Sequence, residues 1–147
     1  MYQRILVATD GSKLSQKAVT HAIGLADMTG AELVALKVVP RYPLTYFEGG
    51  MTVAMSEVNR IEKEWVAEAQ EAVNAVKSAG QKKAVKVKAV TVKSDLIAES
   101  IMATAKRSKC DLIVMASHGR KGLKRLLLGS ETQQVLTHST IPVLVLR

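Results

Sequence analysis

Apolar and polar residues follow one another along this chain in two distinct patterns. Short apolar runs that stop at turn residues predict buried β-strands, and apolar residues spaced three or four apart predict amphipathic helices. A strand followed by a helix occurs four times before a last strand. This order predicts a doubly wound α/β fold, in which right-handed crossovers place helices on both faces of a parallel five-stranded sheet. The predicted strands are residues 3–9, 33–39, 85–92, 111–116 and 141–146.

The predicted helices carry recognisable start and stop residues. Gly30 and Gly80 stand where the first two helices are expected to end. Ser94 or Asp95 is expected to cap the third helix. Trp65 lies on the apolar face of the second helix, which predicts a core position rather than a stacking platform. Helical spacing covers residues 13–28, 56–80, about 94–108 and 130–138.

One long stretch follows neither pattern. It runs from Arg41 to Ala54, holds most of the few aromatic residues and has a glycine pair. Irregular segments of this length are often functional. Two interpretations stay open: a lid or partner contact, and a variable surface connection.

Composition narrows the class of protein. With 147 residues, 48% of them apolar, the chain is expected to form a single domain over residues 1–147 with a substantial core. No run approaches the roughly 20 apolar residues of a membrane span, and the amino terminus lacks a signal-peptide layout. The lone Cys110 is expected to pack at the start of the fourth strand. We therefore expect a soluble cytoplasmic protein without membrane association.

The chain is strongly basic, with 21 Lys and Arg against 13 Asp and Glu and a net charge of +8. Such a surface attracts polyanions, and it equally serves solubility. Nucleic-acid binding is disfavoured because the sequence offers neither a recognition-helix motif nor interleaved aromatic residues for base stacking. The basic residues form two groups, Lys82, Lys83, Lys86, Lys88 and Lys93, and then Lys106, Arg107 and Lys109.

In open α/β sheets a ligand binds beyond the carboxyl ends of the strands, where the strand order reverses. Two strand orders are open. Order 2-1-3-4-5 places the crevice near residues 93–95, whereas order 3-2-1-4-5 brings residues 9–12 against residues 117–119. The loop chemistry favours the second order.

The segment after the fourth strand has the chemistry of a phosphate site. Gly119 and Gly129 allow close approach of the backbone, and the hydroxyls of Ser117, Ser130 and Thr132 add donors near a helix start. The alternative is a simple helix cap beside a solvated basic face. Four cations lie between the two glycines, namely Arg120, Lys121, Lys124 and Arg125.

This segment resembles the phosphate motif G-x-x-G-x9-G-[ST] of the universal stress protein family, in its nucleotide-binding branch. Gly119, nine residues, and then Gly129 and Ser130 keep the spacing, and Ala116 stands at the first glycine. The likeness extends over the whole chain. It implies a Rossmann-like sheet in order 3-2-1-4-5.

The resemblance also implies an adenine nucleotide as ligand: ATP, ADP or AMP. By position, Asp10 contacts the ribose or a bound Mg²⁺ ion, with Ala8 and Thr9 beside it, and the backbone of Val38 reads the adenine. His118 either donates to a phosphate, acts as an acid or only positions the turn. The implied phosphate-binding residues are Ala116, Ser117, His118, Gly119, Arg120, Gly129, Ser130, Glu131 and Thr132.

The last strand, from Ile141 to Leu146, resembles the family's terminal edge strand, which implies a homodimer paired through it. An apolar edge left bare would be prone to aggregation. We expect a stress-response or signalling module that binds nucleotide, with at most slow ATP hydrolysis. The alternatives are a family member that binds no nucleotide and acts through protein partners, and a slow ATPase.

Overall fold

The computed structural model describes residues 1–43, 54–119 and 128–147, and within them it confirms the predicted order of strands and helices. The predicted loop from Arg41 to Ala54 falls largely outside the described residues, as does Arg120. The elements are β1 Arg4–Ala8, α1 Lys13–Thr29, β2 Glu32–Val39, α2 Met55–Gln81, β3 Val87–Lys93, α3 Ile97–Arg107, β4 Leu112–Ala116, α4 Ser130–His138 and β5 Val143–Leu146.

The five strands form one parallel sheet in the order β3-β2-β1-β4-β5. This confirms order 3-2-1-4-5 and removes the alternative. β1 lies at the centre, where Ile5 pairs with Leu33 of β2 on one side and with Leu112 of β4 on the other. Ile5, Leu6 and Val7 are fully buried, as expected for a parallel strand covered on both faces.

Side chains that alternate along the strands build two separate cores. On one face, Ile5 and Val7 pack with α1 and α2, here called the α1/α2 face. On the opposite α3/α4 face, Leu6 packs with Ile101 of α3 and Val135 of α4. Because β1 contributes to both cores, its carboxyl end opens between two helical layers.

The ends of α1 and α2 differ. α1 begins at a capping serine, since the Ser12 hydroxyl accepts from the backbone N–H of Ser15 at 3.2 Å, and it ends at Gly30, which has a φ of +73°. The predicted stop at Gly80 is wrong because α2 continues through Gln81. Gly80 is needed for packing instead: a Cβ there would collide with Cγ2 of Val87 on β3.

The prediction that Ser94 or Asp95 caps α3 is also wrong. Leu96 occupies the cap position and makes no side-chain cap bond. Ser94 accepts from the backbone of Leu96, and Asp95 accepts from the backbone N–H of Arg41 at 2.9 Å. Instead, Glu131 of α4 caps the start of α3: its Oε2 accepts a hydrogen bond from the backbone N–H of Ala98 at 3.2 Å.

The single tryptophan is only partly in the core. Trp65 is half-buried and stacks on Tyr42, with the ring centroids 6.0 Å apart and the planes inclined by 28°. The prediction of a core position rather than a stacking platform is therefore only partly correct, because Tyr42 in the chain leaving β2 supplies a stacking partner that the helical pattern does not reveal.

Cys110 is buried immediately before β4, where it packs in the core of the α3/α4 face as expected. Burial raises the pKa of its thiol to about 11. In the part of the chain that the structure describes, no helix combines the length and the apolar character needed to cross a bilayer.

Candidate functional site

The reversal of strand order at β1 creates a crevice at the carboxyl edge of the sheet. β1 pairs with both β2 and β4, and the helices that follow β1 and β4 lie on opposite faces. A crevice of this kind is the usual ligand position in doubly wound sheets. The described residues predicted after β1 and after β4 therefore lie at the same edge of the sheet, where Asp10 comes close to Gly119.

Asp10 and Gly119 meet across this crevice. A Cβ added to Gly119 would lie 2.8 Å from Oδ2 of Asp10, so any larger residue there would displace the Asp10 carboxylate. The other carboxylate oxygen, Oδ1, accepts from the backbone N–H of Ser12 at 2.9 Å. Gly119, at the start of the loop after β4, thus lies against the Asp10 carboxylate. The turn after β1 orients this carboxylate through Ser12.

The turn after β1 is supported from beneath by hydroxyl groups. Thr9 is buried, its backbone N–H donates to the carbonyl of Leu36 at 2.9 Å, and its Oγ1 lies 3.2 Å from Oγ of Ser15. Oγ1 of Thr9 also accepts from the backbone N–H of Gly11 at 3.3 Å. Thr9 therefore shapes the turn that presents Asp10, and its neighbour Ala8 is the last residue of β1.

The loop after β4 leaves the sheet and returns to it at nearly the same point. The backbone N–H of Gly129 donates to the carbonyl of Ser117 at 2.7 Å, and the N–H of Ser117 donates to the carbonyl of Leu146 at 2.7 Å. A Cβ on Gly129 would lie 3.1 Å from Cα of His118. Gly129 therefore permits close backbone packing, whereas Gly119 permits the approach of the Asp10 side chain, and neither glycine has a positive φ.

Gly129 is the N-cap of α4 and forms no side-chain cap bond. The first N–H groups of a helix have no partner within it and carry partial positive charge. Ser130 is exposed at this end, whereas Thr132 is buried and donates from Oγ1 to the carbonyl of Ala116 at 2.8 Å. Thr132 thus fixes the helix start against the end of β4.

Two other predicted residues have specific intramolecular contacts. The carboxylate of Glu131 is engaged with α3 through Ala98, as described above. Nδ1 of His118 lies 3.2 Å from Oγ of Ser117, and the His118 side chain is half-buried. Both contacts hold parts of the loop and of α4 in place.

Ala116 ends β4 in extended conformation, paired with Leu146. Its φ is not positive. The backbone at this position therefore does not require glycine, and the alanine methyl group causes no strain in the turn itself.

The hydrogen-bonding pattern of β2 determines where the backbone of Val38 points. The Leu36 carbonyl accepts from Thr9, whereas the Val39 carbonyl accepts from Ser94 of the loop after β3. Because backbone groups alternate in direction along a parallel strand, the N–H and C=O of Val38 face the β1 side. β1 ends at Ala8, so these groups point past its end toward the crevice.

Sequence reasoning missed the contribution of Ser15, which is 2% exposed and links the turn after β1 to the first turn of α1. Its spacing three residues after the cap Ser12 was the available signal. The long-range contact of Glu131 with α3 had no local signal at all.

Comparison with known proteins gives the same architecture. The sequence model of the Universal stress protein family matches residues 1–147. Universal stress protein MJ0531 of Methanocaldococcus jannaschii is 35% identical over all of this chain and 83% of its own length. Universal stress protein YxiE of Bacillus subtilis is 33% identical, with both chains covered completely.

Solved structures agree with these relatives. The structure of MJ0577, determined to assign its biochemical function, superimposes with a TM-score of 0.82 at 29% identity and covers 99% of this chain and 96% of its own. Two more distant universal stress protein structures share the fold. One, a complex with cAMP, has a TM-score of 0.72 at 21% identity, covering 99% of this chain and 97% of its own. The other, from Archaeoglobus fulgidus with dAMP, has a TM-score of 0.70 at 18%, covering 99% and 98%.

The parallel sheet, its switch point at β1 and the close approach of the two loops that follow β1 and β4 define a Rossmann-like α/β protein. The crevice between β1 and β4 is its candidate ligand site. The match over the whole chain makes the class more specific. The chain belongs to the universal stress protein family.

Proposed function

We propose that this protein binds an adenine nucleotide, with ATP as the first candidate, in the crevice between β1 and β4. The observation that carries the proposal is the convergence of Asp10, Gly119 and the start of α4 at one opening. Relatives of the same fold carry cAMP and dAMP. The proposal extends that class of ligand to this chain.

Each part of a nucleotide has a matching group. The backbone N–H and C=O of Val38, which point toward the crevice, offer one donor and one acceptor to an adenine edge. Asp10 offers a carboxylate to ribose hydroxyls. Phosphates would lie against the N–H groups at the start of α4, beside the Ser130 hydroxyl, where the helix dipole favours negative charge. Ala8, Thr9, Ala116, Ser117, His118, Gly119, Arg120, Gly129, Glu131 and Thr132 complete the proposed site.

The residues also fit Mg²⁺ brought in with the nucleotide. Mg²⁺ is usually held by one or two carboxylates together with phosphate oxygens and water. Asp10 has one oxygen oriented by Ser12 and the other facing Gly119 in the loop of the proposed phosphate site. The ion would neutralise phosphate charge, and Asp10 would hold it on the β1 side of the crevice.

We propose a binding module rather than an enzyme, acting in the cytoplasm in stress response or signalling. The carboxylate nearest the start of α4 along the chain, Glu131, is engaged in holding α3. A group fixed in this way is poorly placed to activate water. Any hydrolysis is expected to be slow.

The test is calorimetric titration of nucleotide-free protein with ATP, with and without Mg²⁺, at about 0.15 M salt, where the screening length is about 8 Å. One saturable site is expected. Asp10→Ala combined with Ser130→Ala should abolish it, and Gly119→Ala should weaken it because the added Cβ meets Asp10. Thr137→Ala, exposed further along α4, is the matched control.

Absence of binding in the parent protein and in Ala116→Gly would contradict the proposal. It would favour the second candidate, a family member that works only through protein partners, because Ala116 occupies the first motif glycine. Turnover above a matched blank that disappears in the Asp10 variant would instead support the ATPase.

We also infer a homodimer through β5. β5 is an edge strand, and all four of its residues are apolar and only half-buried. The carbonyls of Pro142 and Leu146 accept from Ile113 of β4 and from Ser117 just after it. The backbone groups of Val143 and Val145 therefore face outward. A second copy of β5 would cover this edge.

Val145→Pro removes an outward N–H without touching the ladder to β4. Sedimentation velocity should show a dimer for the parent protein and a shift toward monomer for this variant. The control is the conservative Val145→Thr, which keeps the backbone N–H at this position. A proline elsewhere, such as Ala103→Pro, would be unsuitable because it would break α3. A parent protein that remains monomeric at high concentration would contradict the dimer.

A further inference from the structure

The amino-terminal edge of the sheet, opposite the proposed nucleotide site, carries a groove of about 740 Å³. It extends from the last turn of α3 across the starts of β2 and β3 to the exposed side of α2. Of the described residues that line it, six are cationic and one is acidic. The cations are Arg4, Lys77, Lys86, Lys88, Arg107 and Lys109.

The fold brings together here members of two basic groups that lie about twenty residues apart in sequence, Lys86 and Lys88 of the first and Arg107 and Lys109 of the second. Lys88 pairs in register with Val34, whose side chain belongs to the core of the α3/α4 face. Lys86 and Lys88 therefore project on that face, where Arg107 is the last residue of α3 and Lys109 lies just beyond its end. The one carboxylate, Glu32, is already bridged by Arg4 at 2.9 Å and by Lys86 at 3.3 Å.

The groove also contains the outer edge of β3, the side of this strand that faces away from β2. β3 pairs with β2 alone among the described strands. The Lys86 carbonyl accepts from Leu33 at 2.9 Å, which means that Lys86 and Lys88 direct their backbone groups toward β2. The N–H and C=O groups of Val87 and Ala89 consequently face away from the sheet, and both residues line the groove.

We propose that this groove binds an extended acidic peptide segment of a partner protein, which adds to β3 as a further strand. The outward backbone groups of Ala89, which is half-buried where Val87 is only 7% exposed, would supply the first ladder bonds. Lys88 and Arg107 would pair with acidic side chains that alternate onto the α3/α4 face. This surface is separate from the nucleotide crevice, and the inference does not rest on the proposed function.

Charge and composition select this occupant over two others. A second copy of β3 would bring lysines against lysines, which opposes pairing, as lysines on natural edge strands commonly do. Single-stranded nucleic acid is normally held by stacking on aromatic rings as well as by cations. Among the described lining residues none is aromatic.

Lys109 gives an independent indication. Its φ is +57°, a left-handed conformation that favours glycine, and it directly follows the helix end at a position where glycine is common. A lysine at this position carries backbone strain while it places a cation in the groove. Strain of this kind is often retained where the side chain has a function.

The main test is fluorescence anisotropy with a labelled peptide of about six alternating glutamate and threonine residues, the usual length of a strand. The full-length protein should bind it saturably at about 0.15 M salt. Matched glutamine–threonine and lysine–threonine peptides should not bind. Equal binding of the glutamine peptide would overturn the requirement for charge, and no binding of the glutamate peptide would overturn the proposal.

Variants locate the surface. Lys88→Glu should weaken peptide binding by about tenfold or more, whereas Lys63→Glu, the same charge change elsewhere on the surface, should leave it unchanged. Ala89→Pro removes an outward N–H while keeping the ladder to β2, and it should also weaken binding. Unchanged affinity in a folded Lys88→Glu protein would overturn the proposal.

Two further measurements separate this role from others. Lys109→Gly should raise Tm because it relieves the left-handed strain, yet it should lower peptide affinity. A raised Tm with unchanged affinity would contradict the role of Lys109. An oligouridylate that binds tightly and loses binding in Lys88→Glu, where the glutamate peptide does not bind, would reassign the groove to nucleic acid and overturn the proposal.

Discussion

The two edges of this sheet differ in what they present to a partner. β5 offers four half-buried apolar residues with outward backbone groups at Val143 and Val145. β3 offers outward backbone groups of the same kind, but Lys86 and Lys88 flank them. Because the ladder chemistry is the same at both edges, we expect side-chain charge to decide the partner: an apolar strand for β5 and an acidic strand for β3.

The edges also differ in how they are held. α2 packs directly on β3 because Gly80 lets it approach Val87. At the β5 edge, the chain end is tied to α1 by a bond from Nζ of Lys17 to the carbonyl of Arg147 at 2.9 Å. Stability measurements and association measurements can therefore probe the two edges separately.

The largest effect on the β3 edge is expected from Gly80→Ala. The added Cβ would meet Val87, and overpacking of this kind destabilises by about 1–3 kcal/mol. Urea denaturation followed by circular dichroism measures the free energy of unfolding. Gly24→Ala is the matched control, because Gly24 lies in α1 with open space around an added Cβ and should gain about 0.5–1 kcal/mol from helix propensity. Equal effects of the two changes would contradict the packing role of Gly80.

Between the edges, Glu131 joins α4 to α3, and Glu131→Ala should destabilise by about 0.5–2 kcal/mol through loss of the bond to Ala98. Glu131→Gln keeps an acceptor and should lose only the charge–dipole part, about 0.3–1 kcal/mol. Denaturant titration of both variants measures the difference. Gln134→Ala, exposed on the same helix, controls for a general effect on α4.

Converting the β3 edge to the character of β5 tests the comparison directly. Lys86→Val combined with Lys88→Val should produce new self-association through β3, because the charges that oppose strand pairing are gone. Sedimentation velocity over a range of concentrations should show species larger than those of the parent protein. A double variant with the parent's association state would mean that charge does not protect this edge.

The smallest effect is expected for the ion pairs that Glu32 forms with Arg4 and Lys86 beside the β3 edge. Hydrogen bonds from Arg4 and from Lys86 hold the pKa of Glu32 below its ordinary value. A lowered pKa in the folded state contributes stability that is complete above the ordinary glutamate pKa of about 4.3 and is lost as pH falls through the folded value. Glu32→Gln should therefore flatten the stability profile on its acid side, measured by urea denaturation between pH 7 and pH 3. A profile that keeps the parent's slope would contradict this role, and Glu71→Gln on α2 is the control.

Much of the fold was predictable because it follows from local spacing. The apolar run around Ile5 and the helical spacing after Ser12 predict β1 and α1 within a residue or two of their observed ends. The turn chemistry of Gly119 and Gly129 indicated which loops would meet, and the structure brings Gly119 to Asp10. The predictions failed where a distant residue intervenes. The start of α3 is capped by Glu131 rather than by Ser94, and Trp65 stacks on Tyr42.

By itself, the sequence determined which segments become strands and helices and which loops carry phosphate-type chemistry, because periodicity and turn residues act within a few positions. Only the tertiary structure decided which of these segments become neighbours. It turned the backbone of Val38 toward the crevice, made Gly80 a packing residue and brought basic residues from two distant segments into one groove. Such contacts depend on strand order and register, which bring together residues far apart in the chain and leave no mark in local sequence spacing.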